Sequence, residues 1–261
     1  MNKDVAIVEA VQGFVAQAVQ PYLRVPGAKD NYPTQLVQRM RELGLFGINV
    51  PVAFGGLGLS QLALTAIGVE LSKGWLSLAA LLGAHMRACN HVLGCATPSQ
   101  QERYLRRMAS GNLVVAYARH EQGVTDPSCF YTVLVRDGPR YTLTGGKPWV
   151  TNAKHADALL CIARRKEDDS EAPATVLVFP SRPGVTIGPD LSQPGGRGVS
   201  LCQVAFSDYI VQPEQHELIG GIPAYSAGFM GFSEPRPALA SGAPVDEEEG
   251  DQCSGCKRAY S

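Results

Sequence analysis

The chain has 261 residues, 45% of them apolar, enough for one large domain or two modest ones with a real core. Its 23 basic and 24 acidic residues leave a formal charge of −1, a balance that excludes the basic footprint of a nucleic-acid-binding protein. No apolar run reaches the ~18 residues that a membrane span needs.

The opening segment MNKDVAIVEAVQGF has no long apolar run and carries acidic residues, so it reads as neither a secretory signal nor a mitochondrial presequence. From Val5 onward, Val8, Val11, Phe14, Val15, Ala18 and Val19 recur at close to 3.6 residues and predict a helix. Pro33-Thr34 opens a second helix with Leu36, Val37, Met40 and Leu43 on one face, and Gly44 is placed to end it. FGINVPVAFGGLGLS is loop by its glycines and proline. QLALTAIGVELSKG predicts a third helix. LSLAALLGAHMRACNHVLGCA predicts a fourth, apolar nearly all round and therefore buried. SQQERYLRRMASG predicts an amphipathic fifth, with Arg106 and Arg107 as surface charge.

Beyond residue 112 the pattern changes. LVVAYAR, FYTVLVR, RYTLTG, KPWVT, ALLCIAR, ATVLVFP and LCQVAF are short apolar or alternating runs, with Asp137-Gly138-Pro139 and Gly145-Gly146 read as turns. Helices first and strands second define an α+β protein: an α-helical domain at 1–111, then an antiparallel β-barrel or sandwich at 112–220. Residues 221–261 are rich in Gly, Pro, Ala and Ser, with an acidic run from Asp246 to Asp251, and predict an irregular or disordered tail. The seven cysteines lack the spacing of a disulfide framework, which fits a reducing compartment and an expected cytoplasmic location. The lone pair Cys253 and Cys256 has no second pair at zinc spacing, and His85 and His91 stand six apart on the fourth helix, so no metal site is expected.

The segment KPWVTN carries the chemistry. On a strand, Trp149 and Thr151 point to one face, one supplying apolar area and the other a hydroxyl, a pair suited to a planar heteroaromatic ring with polar edges. LGLFGINVPVAFGGLGLS, HVLGCATPSQQERYLRRMASG, YTLTGGKPWVTNAKHADALLCIA and GRGVSLCQVAFSDYIV follow in this order, and together they resemble the acyl-CoA dehydrogenase family over roughly residues 1–220. The resemblance implies FAD, with Trp149 packed on the flavin and the Thr151 hydroxyl bonded near its reactive nitrogen. The family's second flavin segment, [YF]-x-x-T-E-P-x-x-G-[ST]-D, is matched by Tyr117, Glu121, Thr125 and Asp126 with one residue deleted. His120 stands where the family has a Thr, Gln122 stands for Pro, and the Gly before Thr125 is missing. The candidate cofactor residues are thus Tyr117, His120, Thr125, Trp149 and Thr151.

The resemblance further implies dehydrogenation of an acyl thioester, on coenzyme A or a carrier protein, with a base drawn from a carboxy-terminal helical bundle. About forty residues follow Gly221, fewer than a bundle needs. The expectation is a half-enzyme completed by a partner chain or by self-association. The alternative is a truncated, non-catalytic relative acting as a binding module or standing as an inactive remnant. Glu247, Glu248 and Glu249 read as a solvated tail, so no catalytic residue is nominated.

Overall fold

The computed structural model describes residues 2–167, 170–191 and 196–222. All of the expected tail but Gly221 and Ile222 lies outside them, including the acidic run and Cys253 and Cys256.

The first helix runs further than its apolar period. α1 (Lys3–Phe14) is capped by the Asn2 side chain and passes through a π-helical turn, Val15–Val19, into α2 (Gln20–Leu23). The turn is closed by the Gln20 N–H donating to the Val15 carbonyl. It stands just before Pro21, whose missing N–H and bulky ring a regular α-turn would not accommodate. α3 (Thr34–Glu42) ends as expected, with Gly44 left-handed at φ 70°. α4 (Gln61–Gly74) and α5 (Leu76–Cys95) form a hairpin around the single residue Trp75. α6 (Pro98–Ala109) starts on a capping box in which Thr97 and Gln100 satisfy each other's backbone N–H.

α5 explains its own composition. One side packs, through Leu78, Leu81 and Leu82, into the helical core with Phe46, Ile67 and Leu71. Another packs, through Ala88, Cys89 and Val92, into a cluster shared with Val115, Leu160 and Leu177 of the sheet. A helix clamped between two layers has little face left for polar residues.

The strands are β1 (Val115–Ala118), β2 (Val133–Asp137), β3 (Arg140–Thr151), β4 (Ala158–Glu167), β5 (Ser170–Val178), β6 (Val185–Asp190), β7 (Leu201–Val211) and β8 (Leu218–Gly220). They form one sheet in the order β6-β7-β3-β2-β4-β5-β8, with β1 paired to β4. The sheet is mixed, where a purely antiparallel one was expected: β1 and β2 both run parallel to β4. β3 has β2 on one edge and β7 on the other. The chain leaving β3 therefore cannot fold back as a hairpin, and β4 lands beside β1 and β2.

Gly145-Gly146 is not a turn. β3 runs straight through it with bulges between Leu143 and Gly145 and between Lys147 and Val150. Gly145 has φ +133°, and a Cβ there would sit 2.5 Å from the Thr132 Cα, so the glycine admits a neighbouring backbone rather than reversing the chain. Two strands were missed. β6 contains Gly188-Pro189, which reads as a breaker but is tolerated because β6 is an edge strand. β8 is three residues long, too short to show a period.

Candidate functional site

The end of β3 alternates as its sequence requires. Val150 is fully buried, whereas Trp149 is 47% exposed and Thr151 is partly so. The strand stops at Asn152, which is buried and left-handed at φ 65°, a conformation Asn tolerates better than most residues. Its backbone N–H donates to the Ser200 carbonyl, and its carbonyl accepts from the N–H groups of His155 and Ala156.

What holds this strand end in place was not anticipated from the sequence. Lys147 and Glu121 form a salt bridge of 2.7 Å with side chains 0% and 3% exposed. The Lys147 ammonium also donates to the Arg119 carbonyl at 3.2 Å and lies 4.1 Å from the centre of the Phe130 ring. Glu121 accepts from the backbone N–H groups of Tyr131 and Thr132. Burial works to raise its carboxyl pKa, but the bonds from Lys147, Thr132 and Tyr131 outweigh it and hold the group below the usual range. The pair ties the loop after β1 to β3 two residues before Trp149. The sequence signal was a Lys inside an otherwise strand-like run, with its partner 26 residues away.

Thr151 borders a cavity of about 740 Å³ between α4 and α5. From α4 the wall is Thr65, Gly68, Val69, Ser72 and Lys73. From α5 it is Leu76, Ala79, Ala80, Gly83, Met86 and Arg87, a stripe at helical spacing. The cavity surface is chiefly apolar. A Cβ added at Gly68 or Gly83 would meet nothing within 4 Å, so these mid-helix glycines leave open space. No carboxylate or imidazole lines the cavity among the described residues.

Tyr117 stands beside this cavity rather than in it. The Arg87 guanidinium lies 5.9 Å from its ring centre. Its hydroxyl donates to His91 Nδ1 at 3.2 Å; His91 Nε2 donates to the Thr175 hydroxyl at 2.7 Å, which in turn donates to the Gly221 carbonyl at 2.6 Å. This chain assigns the His91 proton to Nε2. Burial pushes the His91 pKa down to about 4. His85 is also pushed by burial to about 4, accepting from the Val115 N–H and donating to the Met108 carbonyl. His120 is exposed, its pKa lowered by partial burial and by Arg119, Arg87 and Lys147. Thr125 is exposed. Of the five predicted residues, then, Thr151 lines the cavity and Tyr117 adjoins it through Arg87, whereas Trp149, His120 and Thr125 lie outside its lining. Sequence reading passed over Arg87 because α5 reads as apolar nearly all round.

A helical layer packed on a mixed sheet, with an exposed aromatic and a hydroxyl beside an apolar cavity, has the fold of the acyl-CoA dehydrogenases. The butyryl-CoA dehydrogenase of Megasphaera elsdenii superposes with a TM-score of 0.76 at 21% identity, covering 86% of this chain and 60% of that one. A glutaryl-CoA dehydrogenase of Mycobacterium smegmatis, solved in complex with FADH2, gives 0.76 at 19% identity, covering 87% and 57%. By sequence, the (2S)-methylsuccinyl-CoA dehydrogenase of Cereibacter sphaeroides is 27% identical over 223 residues, 80% of this chain and 40% of that protein. Residues 2–112 match the family model for the acyl-CoA dehydrogenase N-terminal domain, and residues 117–209 match that for the middle domain. The chain belongs to the acyl-CoA dehydrogenase family. It spans about two fifths of the length of that curated relative. No helix among the described residues is long and apolar enough to cross a membrane.

Proposed function

We propose that this chain binds FAD and an acyl thioester as part of an acyl-CoA dehydrogenase-like oxidoreductase acting on the CH–CH group next to the thioester. The observation that carries the reading is the pairing of Trp149 and Thr151 on one face of β3, with Thr151 opening onto the α4–α5 cavity. An exposed indole offers area to a flat ring, and a hydroxyl one pleat on offers a hydrogen bond to its polar edge, so the residues present fit a flavin. Trp149 and Thr151 would hold the ring, with Tyr117, His120 and Thr125 as further contacts. FAD, when bound, supplies the acceptor for the hydride leaving the β carbon.

The remaining work falls to the protein. The apolar cavity takes the acyl chain and excludes water from it. The Lys147–Glu121 pair fixes the backbone that aims Thr151. The α proton needs a base, and none lines the cavity among the described residues. We assign the base to residues outside those described or to a partner chain. Leu62, Val69, Leu76 and Trp149 are all exposed, and such apolar surface on α4, α5 and β3 suits a covering partner or a second copy.

The test is visible absorption of the purified chain after FAD is added and free flavin removed by desalting. Near-stoichiometric flavin in the native chain, and loss of most of it in Trp149→Ala, is the expected result. Equal retention in both proteins would remove Trp149 from the site, and no flavin in either would sink the reading.

A further inference from the structure

The face that α5 turns to the cavity is Leu76, Ala79, Ala80 and Gly83, small or apolar at each turn, and then Arg87. Arg87 stands eleven residues from Leu76, roughly 16 Å along the helix at ~1.5 Å per residue. It is exposed at the cavity edge, with the Tyr117 ring beside it. The other cation of the wall, Lys73, is already paired with Glu70 at 2.8 Å. Arg87 has no acidic partner among the described residues. Its neighbours on the wall, Met86 and Gly83, supply none, and Tyr117, whose ring lies beside it, spends its hydroxyl on His91. A wall built to take a plain hydrocarbon chain would continue its apolar stripe here. A guanidinium ending the stripe offers two parallel N–H donors, a geometry that matches a carboxylate.

We propose that Arg87 makes this cavity selective for acyl groups that carry a carboxylate at the far end of a short chain. The substrate class is the half-thioester of a dicarboxylic acid, with Arg87 as a specificity-determining residue. This rests on the reading of the cavity as an acyl-thioester site.

The chain is loaded with FAD and titrated by calorimetry with glutaryl-coenzyme A and with pentanoyl-coenzyme A. The two share the coenzyme and the five-carbon chain and differ in the terminal carboxylate. The native chain is expected to bind the glutaryl thioester about fivefold more tightly, the gain of one partly exposed ion pair, and to lose that preference as salt is raised. Arg87→Leu is expected to abolish or reverse the preference, and Arg87→Lys to restore part of it. The proposal is overturned by equal binding by the native chain, by a preference that survives Arg87→Leu, or by an equal loss of both thioesters in that variant. The last would place Arg87 on the coenzyme phosphates. Binding of pentanoyl-coenzyme A alone would leave the acyl site standing and remove the carboxylate, whereas saturable binding of neither thioester would remove both.

Discussion

The end of β3 and the wall between α4 and α5 meet at Thr151, and they are built on opposite plans. The strand end is over-determined: a buried ion pair, bonds to two backbone N–H groups and an aromatic ring all converge on Lys147 and Glu121. The helical wall is under-filled, with small side chains and two glycines at which an added Cβ would meet nothing within 4 Å. The difference teaches how labour is divided. Groups that must hold an angle sit on a scaffold with no alternative arrangement, and groups that must admit a chain sit on a wall that leaves room.

The ion pair gives the largest expected effect. Lys147→Met leaves the Glu121 carboxylate buried without its cation and should cost about 3–5 kcal/mol in denaturant unfolding. The double change Lys147→Met with Glu121→Met should cost less than the sum of the two single changes, because the buried charges vanish together, although it leaves the Tyr131 and Thr132 N–H groups without their acceptor. An additive double mutant would mean that the pair does not act as a unit.

Acid should loosen the junction behind the wall. His85 and His91 have folded pKa values near 4 against an unfolded value near 6.5. Each is held neutral in the folded chain, so the stability it contributes is fully present above pH ~6.5 and is lost as pH falls toward ~4. Each shift corresponds to on the order of 3 kcal/mol. Unfolding free energy followed across that window should fall with pH, and His91→Gln should flatten the slope. A flat profile in the native chain would contradict the buried neutral assignment.

The smallest effect sharpens the comparison most. Gly83 lies inside α5 and its missing Cβ would meet open space, so Gly83→Ala should raise stability by roughly 0.5–1 kcal/mol through helix propensity alone. A loss of stability would mean that the wall is packed after all.

Much of this was legible in the sequence, and the failures have physical causes. Pattern alone placed Trp149 and Thr151 on one face, because a period of two survives even beside a bulge. It could not find the Lys147–Glu121 pair, since nothing local tells a strand lysine that reaches solvent from one that turns inward. Gly145-Gly146 was misread because a glycine needed for close approach looks the same as one needed for a turn. Arg87 was missed because one charge on a twenty-residue apolar helix does not disturb its period, and only the fold reveals which face it occupies.

The most direct test of the central claim, that the space between α4 and α5 receives the acyl chain, is the affinity of Gly83→Phe for pentanoyl-coenzyme A beside that of the native chain, both loaded with FAD. Open space at Gly83 predicts a variant that folds and keeps its flavin while losing about tenfold or more in thioester affinity. Unchanged affinity in a folded, flavin-bearing Gly83→Phe would place the acyl chain elsewhere and contradict the account.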